Sequence, residues 1–325
     1  MLLLGASGTI GQACARALIA RGHDTVCFLR PPASGGHGDG GAALRQALAG
    51  AELRYGQVTD ADSLLRDGLR GERFDAVISC LASRTGVPAQ AWAVDHQANL
   101  HALRAAQALG VPRMVLLSAI CVQKPMLAFQ HAKLAAERAL IDSGLSYSIV
   151  RPTAFFKSLS GQVARVRAGK PFLLFGDGAL TACKPISDRD LAEFIIDCLH
   201  RPDRRNRVLP IGGPGAAITP REQGELLFAL TGQAPRFRSV PPALLRMMAG
   251  TLGLGRRLSP GLATKAELAR IGHYYATESM LVLDPDTGRY DARATPSTGA
   301  DTLAEHYRAL IAGEIRHQPG EHAVF

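Results

Sequence analysis

Short apolar runs alternate with amphipathic segments through the first half of the chain. The runs are LLL at the start, TVCFL (25–29), ELRYG (52–56), AVISC (76–80), RMVLLS (113–118) and YSIV (147–150). Near-continuous apolar strands separated by helical periodicity are typical of a parallel sheet with helices on both faces. The pattern therefore predicts a doubly wound α/β fold, with the first helix over residues 9–20.

The pattern changes after Arg151. RPTAFFKSLSGQ (151–162) and KPFLLFGDG (170–178) are irregular and aromatic, whereas DLAEFIIDCL (190–199) and RVLPIGG (207–213) predict one more helix and one more strand. From about residue 216 onward the chain shows helical segments with Pro and Gly between them and little strand character. We therefore expect a smaller, mostly helical second part.

A glycine-rich turn, GASGTIG, joins the first predicted strand to the first predicted helix. Glycines at this spacing allow a tight turn and let backbone N–H groups approach a pyrophosphate at the helix N-terminus. A plain glycine turn is the alternative, but the strand–turn–helix context favours a dinucleotide site. The predicted cofactor contacts here are Gly5, Ala6, Ser7, Gly8, Thr9, Ile10 and Gly11.

These two observations together predict a domain organisation. Residues 1–155 form an NADP-binding Rossmann domain, and residues 156–325 form a substrate-binding part from which residues 186–213 return to the sheet. The PPASGGHGDGG segment (31–41) is expected to be a mobile loop. Thr59 and Asp62 fit a capping box for the helix that follows the third strand.

Residues at the ends of the second, third and fourth strands complete the predicted cofactor site. Arg30 ends the second strand, where an arginine suits the 2′-phosphate of NADP and an acid would suit NAD. A solvated surface arginine is the alternative. Gln57 and Val58 are predicted to lie beside the adenine. Further along, the segment after the fourth strand places Cys80, Leu81 and Ala82 beside the cofactor.

The stretch FQHAK carries the chemistry of the predicted active site. Ser118 ends the fifth strand, and Phe129 and Lys133 share one face of the helix that follows. We predict catalytic roles for Ser118 and Lys133, with Lys133 also holding the cofactor, although an exposed helix lysine is the alternative. His131 points to the opposite face and is expected to face solvent.

The segment after the sixth strand is predicted to meet the nicotinamide. Pro152, Thr153 and Phe155 are expected to contact the cofactor, and Phe156, like Phe129, to contact the substrate; a core-filling aromatic pair is the alternative for Phe155 and Phe156. The stretch PPALLRMMAGTLGLGRRL (241–258) is amphipathic with basic residues at one end. It could cover an apolar substrate, touch a membrane surface, or form a core helix.

Composition limits the classes of function. The net charge is +9, but the basic residues are scattered and aromatic residues amount to 6%, so we do not expect nucleic-acid binding. The six cysteines show no metal-binding spacing and fall mostly in apolar runs, which indicates buried reduced thiols. No apolar run approaches the roughly 20 residues of a membrane span and no leader is recognisable, so a cytoplasmic protein is expected.

Longer stretches carry a more specific resemblance. They are SCLASRTG, VLLSAICVQKPMLAFQHAKL, YSIVRPTAFFKSLSGQV, LFGDGALTACKPIS, LPIGGPGAAITPREQGELLF and YYATESMLVLDPDTGRYD, which run from Ser79 to Asp291. In these the chain resembles the atypical short-chain dehydrogenase/reductases and, more narrowly, the 3,8-divinyl (proto)chlorophyllide 8-vinyl reductases. The resemblance implies reduction of a vinyl group on a tetrapyrrole with NADPH, without metal or flavin, in chlorophyll or bacteriochlorophyll biosynthesis. The absence of a transit peptide points to a bacterial phototroph.

This substrate class explains why a phenylalanine stands where a related carbonyl reductase has a tyrosine. Hydride addition to a carbonyl builds an alkoxide that a phenol must protonate, whereas hydride addition to a vinyl group leaves charge that the macrocycle delocalises. Phe129 can then serve as an apolar wall. Other interpretations are an isoflavone-reductase-like reduction of a small aromatic compound, a non-enzymatic NADP sensor, and an assembly role with a permanently bound nucleotide.

Overall fold

The computed structural model describes residues 1–31, 39–254 and 259–315. Most of the segment predicted to be a mobile loop (32–38) and the end of the predicted amphipathic stretch (255–258) lie outside the described residues. The strands are β1 (Leu2–Leu4), β2 (Val26–Leu29), β3 (Glu52–Tyr55), β4 (Val77–Ser79), β5 (Arg113–Leu117), β6 (Ser146–Pro152), β7 (Phe172–Phe175), β8 (Arg207–Ile211), β9 (Phe237–Val240), β10 (Val282–Leu283) and β11 (Tyr290–Asp291).

Helices cover both faces of the sheet and build most of the second part. They are α1 (Thr9–Ala20), α2 (Asp39–Ala47), α3 (Ala61–Ser63), α4 (Pro88–Ala91), α5 (Asn99–Ala108), α6 (Ala128–Ile141), α7 (Phe156–Leu159), α8 (Val163–Arg167), α9 (Asp188–Asp197), α10 (Pro220–Thr231), α11 (Pro242–Leu254), α12 (Pro260–Thr277) and α13 (Leu303–Ala312). Two π-helical segments, Leu64–Leu69 and Trp92–Ala98, and two 3₁₀ turns, Ile120–Gln123 and Pro202–Arg204, connect them.

Seven strands form one parallel sheet in the order β3-β2-β1-β4-β5-β6-β8. The chain runs outward from β1 in one direction through β2 and β3, and in the other direction from β4 onward. The order therefore reverses between β1 and β4, and in such sheets ligands bind at the carboxyl ends of the strands at this switch point. The predicted doubly wound fold is confirmed, and so are the bounds of the first helix.

Alternate residues of the strands fill two separate cores. Leu3, Ile78 and Val115 are fully buried on the face covered by α1 and α9. Their neighbours Leu2 and Val77 are buried at 1% exposure on the opposite face, under α5. Burial on both faces explains why these strands are apolar at nearly every position.

The second part contains strands that the sequence analysis did not predict. β7 pairs in parallel with β9, with Phe172 beside Phe237, in a small sheet outside the main one. Phe172 and Leu174 point inward and pack against Phe228 and Tyr307, both fully buried. The expectation of an irregular segment at 170–178 is therefore wrong. After residue 216 the described strands are short, β9 with four residues and β10 and β11 with two each, which agrees with the expected little strand character.

The cap of the helix after β3 also differs from the prediction. The side chain of Asp60 accepts hydrogen bonds from the amides of Asp62, at 3.0 Å, and Ser63, at 3.3 Å. Asp60 is therefore the N-cap, and the predicted Thr59–Asp62 capping box is wrong.

Helix α11 is the described part of the predicted amphipathic stretch. It packs on α12 but leaves Leu244, Met247 and Met248 exposed, at 46%, 65% and 43%. These exposed side chains disfavour the core-helix alternative. The choice between covering a substrate and touching a membrane stays a prediction. Within residues 1–31, 39–254 and 259–315, no helix is both long and apolar enough to span a bilayer.

Candidate active site

The glycine turn between β1 and α1 is closed by backbone contacts that leave no room for side chains. Gly5 has φ +81°, and a Cβ there would lie 2.5 Å from the carbonyl oxygen of Cys80. A Cβ on Gly11 would lie 2.2 Å from the carbonyl oxygen of Gly5. At Gly8, by contrast, the nearest heavy atom to an added Cβ is 3.4 Å away. The turn is thus compact on its inner side and open on its outer side, where Ser7 and Gly8 are exposed.

The first turn of α1 is suited to an anion. Gly8 is the N-cap and offers no side-chain acceptor to the first amides, and no acidic residue occupies the first turn. Lys157, from α7, places its Nζ 2.9 Å from Thr9 Oγ1. Free amides and a nearby ammonium group together favour a pyrophosphate at this position.

Asp188, the first residue of α9, lies close to the same ammonium group. Its Oδ1 is a buried atom without a hydrogen-bond partner among the described residues. Burial raises the pKa of Asp188, and the charges of Lys157 and Arg16 oppose that rise. Lys157 is a member of the site that was not predicted, although its place directly after the two phenylalanines of RPTAFF is a signal that the sequence provides.

Arg30 and Gln57 lie at the carboxyl ends of the neighbouring strands β2 and β3. Both side chains are exposed, and the amide of Gly56 donates to the carbonyl of Leu29 at 2.9 Å, which fixes the register of the two strand ends. Val58 is buried at 9% exposure, and its carbonyl oxygen is 3.4 Å from Nδ1 of His101. The structure therefore places Arg30 and Gln57 at one edge, where neither side chain has a hydrogen-bond or ion-pair partner among the described residues.

The segment after β4 lies against the glycine turn. Cys80 is partly buried, with its Sγ 3.9 Å from Sγ of Cys14 in α1. Leu81 is buried at 8% exposure and Ala82 is exposed. Because the backbone of Cys80 lies directly against Gly5, this segment and the glycine turn form one continuous surface at the switch point.

Lys133 is held by a buried carboxylate. Its Nζ lies 2.9 Å from Oδ1 of Asp95, and the side chains are 11% and 1% exposed. Asp95 also accepts the amide of Ser83 at 3.3 Å. Asp95, Asn99, Ser118 and Lys133 line one recess at the carboxyl ends of β4 and β5. The ion pair therefore fixes the ammonium group of Lys133 at this recess beside the switch point.

Ser118 borders the same recess, but its hydroxyl has another partner. It donates to the carboxylate of Glu137, on α6, which also pairs with the guanidinium of Arg151. Nε of Arg151 is 3.1 Å from Oε1 of Glu137. Ser118 and Glu137 are 5% and 2% exposed. The hydroxyl of Ser118 is therefore engaged inside the protein, and its predicted catalytic role stays a prediction.

The aromatic residues predicted to meet the substrate have different surroundings. Phe129 is 9% exposed and belongs to an apolar cluster with Cys121 and Tyr274. Phe156, at 4% exposure, belongs to the core of the second part, which favours the core-filling alternative and goes against its predicted substrate contact. Phe155 is half-buried and pairs with Ile186 through the backbone.

The remaining predicted residues of this region lie where expected along the chain, but one is already engaged. Pro152 and Thr153 are buried at the end of β6. The hydroxyl of Thr153 donates to the carbonyl of Lys184, so its side chain is not available to the nicotinamide in this arrangement. His131 is exposed on the opposite face of α6 from Phe129, as its spacing predicts.

The parallel sheet, its switch point and the glycine turn together define an NAD(P)H-binding protein of the Rossmann type. A family described as NAD(P)H-binding matches residues 5–202, so a nicotinamide cofactor belongs at this edge. The divinyl chlorophyllide a 8-vinyl-reductase, chloroplastic, of Oryza sativa subsp. indica is 47% identical over 331 residues, covering 100% of this chain and 82% of that protein. The chain belongs to the divinyl chlorophyllide a 8-vinyl-reductase family.

Two solved structures share the fold at low sequence identity. The NADPH-dependent quinone oxidoreductase QOR2 of Escherichia coli has a TM-score of 0.68 and 19% identity, covering 95% of this chain and 99% of that one. The leucoanthocyanidin reductase–NADPH complex from Vitis vinifera has a TM-score of 0.67 and 16% identity, covering 96% and 99%. Both agree with the fold class. The rice relative is named as chloroplastic, and the cytoplasmic location predicted for this chain stays a prediction.

Proposed function

We propose that this chain reduces the 8-vinyl group of a divinyl chlorophyllide or protochlorophyllide to ethyl, as an oxidoreductase of chlorophyll or bacteriochlorophyll biosynthesis. The observation that carries the proposal is the 47% identity to a reductase of this name over the whole chain. The site agrees with it, since the closed glycine turn and the Asp95–Lys133 pair lie at one edge of the sheet.

We assign a separate role in this reaction to each residue of the site. The amides at the start of α1 and the ammonium of Lys157 hold the pyrophosphate. Lys133, fixed by Asp95, holds the nicotinamide ribose and adds positive potential as negative charge develops on the pigment. The bound nicotinamide supplies a hydride. Phe129 contributes only an apolar surface, because the macrocycle spreads the charge and no oxyanion forms at that position.

The experiment that tests the proposed function uses purified protein, a reduced nicotinamide cofactor and divinyl chlorophyllide under anaerobic conditions. We expect an 8-ethyl product, followed by the shift of the Soret band and identified by mass, without added metal or flavin. Parallel reactions with divinyl protochlorophyllide measure the preference between the two pigments. Turnover of a small phenylpropanoid-type aromatic compound, with neither pigment reduced, would replace this proposal by the isoflavone-reductase-like alternative.

We further propose that the cofactor is NADPH and that Arg30 selects it. Arg30 is exposed at the end of β2, free to approach the 2′-phosphate. A charge-assisted contact of this kind is worth about 1.5–3 kcal/mol, so Arg30→Ala should weaken NADPH binding roughly ten- to a hundredfold. NADH binding should hardly change. Titration of both cofactors against both proteins, followed by nicotinamide fluorescence, measures the four dissociation constants.

A matched control for this substitution is Arg73→Ala, which removes another exposed arginine from a different part of the surface. It should leave the dissociation constants of both cofactors unchanged. Equal losses of NADPH and NADH affinity in Arg30→Ala would show that Arg30 acts on a part common to both cofactors, and its role in selection would be disproved.

A further inference from the structure

The proposed reaction adds one hydride and one proton to the vinyl group, and helix α6 provides no acid for the proton. Phe129 stands one turn before Lys133, where a phenol would otherwise be placed. The hydroxyl of Ser118 is engaged with Glu137, and Lys133 is engaged with Asp95. A proton donor therefore has to come from another element that reaches the same edge.

Helix α12 brings a phenol to this edge. The hydroxyl of Tyr275 lies 3.9 Å from Sγ of Cys121, in the 3₁₀ turn that follows β5. The carbonyl oxygen of Cys121 accepts a hydrogen bond from Nε2 of Gln130 at 3.2 Å. Gln130 lies one helical turn before Lys133 on α6. The hydroxyl of Tyr275 thus reaches the corner between the end of β5 and the start of α6.

The charge of Lys133 also acts at this corner. Burial raises the pKa of the Cys121 thiol, and the positive charge of Lys133 is among the influences that oppose the rise. The ammonium group of Lys133 therefore acts at the thiol that the hydroxyl of Tyr275 contacts.

The neighbouring Tyr274, in the same helix, has a structural role and serves as a comparison for Tyr275. Tyr274 is 2% exposed, and its hydroxyl lies 2.9 Å from the carbonyl oxygen of Cys121 and 3.1 Å from that of Lys124. Tyr275 as a whole residue is 41% exposed, but its hydroxyl end is buried, and the contact there is a thiol, which is a weak acceptor. Tyr274 thus fastens α12 to the turn after β5, whereas Tyr275 can exchange its partner for a substrate.

We propose that Tyr275 is the proton donor of the vinyl reduction; this inference rests on the proposed function. A hydride from the reduced nicotinamide forms the new C–H bond at the terminal vinyl carbon, and the π electrons move into the macrocycle. The O–H bond of Tyr275 breaks, and its proton forms the C–H bond at the inner carbon. The vinyl group is reduced, the nicotinamide is oxidised, and the phenolate regains a proton from solvent after the product has left.

The protonation state of Tyr275 agrees with this role. Burial around the hydroxyl, followed by the proximity of Cys121, raises the pKa of Tyr275 above its ordinary value. The phenol therefore keeps its proton throughout the neutral range, and activity should fall with loss of that proton only at strongly alkaline pH. Tyr275→Phe should abolish this alkaline limb of the pH profile.

The test compares Tyr275→Phe with Tyr274→Phe in single-turnover reactions with divinyl chlorophyllide and saturating NADPH. Loss of a positioned acid should slow reduction by Tyr275→Phe about 10²-fold or more. Pigment binding without cofactor, measured by fluorescence quenching, should stay within about twofold of the parent, because the ring remains in place. Tyr274→Phe should lower the melting temperature and leave the rate per folded molecule near that of the parent.

A second readout does not depend on turnover. Absorbance titration of the cofactor-free protein near 295 nm, compared between the parent and Tyr275→Phe, should show the loss of one phenol that ionises above the ordinary range. A parental rate in Tyr275→Phe overturns the proton-donor role while leaving the proposed function intact. Failure of the parent protein to reduce either pigment overturns both.

Discussion

Replacing Gly11 by alanine is expected to weaken binding of the nicotinamide cofactor by about a hundredfold. The new Cβ would lie 2.2 Å from the carbonyl oxygen and 2.7 Å from the carbonyl carbon of Gly5, and these are backbone atoms that cannot rotate away. The turn has to open, which misplaces the amides at the start of α1. Forced overpacking of this kind costs about 1–3 kcal/mol, and the upper end corresponds to roughly two powers of ten in affinity.

The control for this substitution is Gly250→Ala, at an exposed position of helix α11. No heavy atom lies within 4 Å of a Cβ built on Gly250, so alanine should be accommodated without strain and should favour the helix slightly. Cofactor titrations and thermal melts of both variants separate loss of binding from loss of stability. Unchanged affinity together with an unchanged melting temperature in Gly11→Ala would show that the turn is not as tight as the structure indicates.

Local signals in the sequence explain which parts of the fold could be predicted. The glycine turn and the first helix are encoded within 16 consecutive residues, 5–20, and the predicted bounds of the helix match α1. The strands β1, β2, β4 and β5 are buried and apolar on both faces, so each could be recognised by itself. Strands β7 and β9 are different, because β7 buries only alternate residues, β9 has no buried residue, and the two pair across more than 60 residues of chain. Nothing local marks such a pair.

Some residues of the candidate site could be predicted from local signals in the sequence, and others could not. The glycines could be identified because their spacing and context carry the chemistry. Asp95 and Glu137 could not, since an acidic residue in a helical segment usually faces solvent, and only the fold shows that both are buried beside a cation. Phe155 and Phe156 illustrate a further limit. The sequence indicates that an aromatic pair follows β6, but the backbone path decides that Phe156 fills the core and Phe155 stays partly exposed.

Replacing Lys133 of the Lys133–Asp95 pair is expected to have two separable effects, one on the rate of reduction and one on the free energy of unfolding. Lys133→Met should slow single-turnover reduction by about 10²-fold or more, the scale of one preorganised electrostatic contact in a catalytic site. The same change leaves Asp95, which is 1% exposed, without its cation. Removing one partner of a buried ion pair typically costs about 3–5 kcal/mol of the free energy of unfolding. Lys133→Met should therefore be both slow and unstable.

The double variant Lys133→Met/Asp95→Asn separates these components. Asparagine keeps an oxygen for the amide of Ser83 but carries no charge, so most of the lost unfolding free energy should return. The rate should stay low, because the cation that holds the ribose and favours negative charge on the pigment is still missing. Urea unfolding measures the first quantity, and single-turnover reduction at saturating NADPH measures the second. A double variant that regains the parental rate would show that Lys133 serves only to neutralise Asp95, and its part in the reaction would have to be given up.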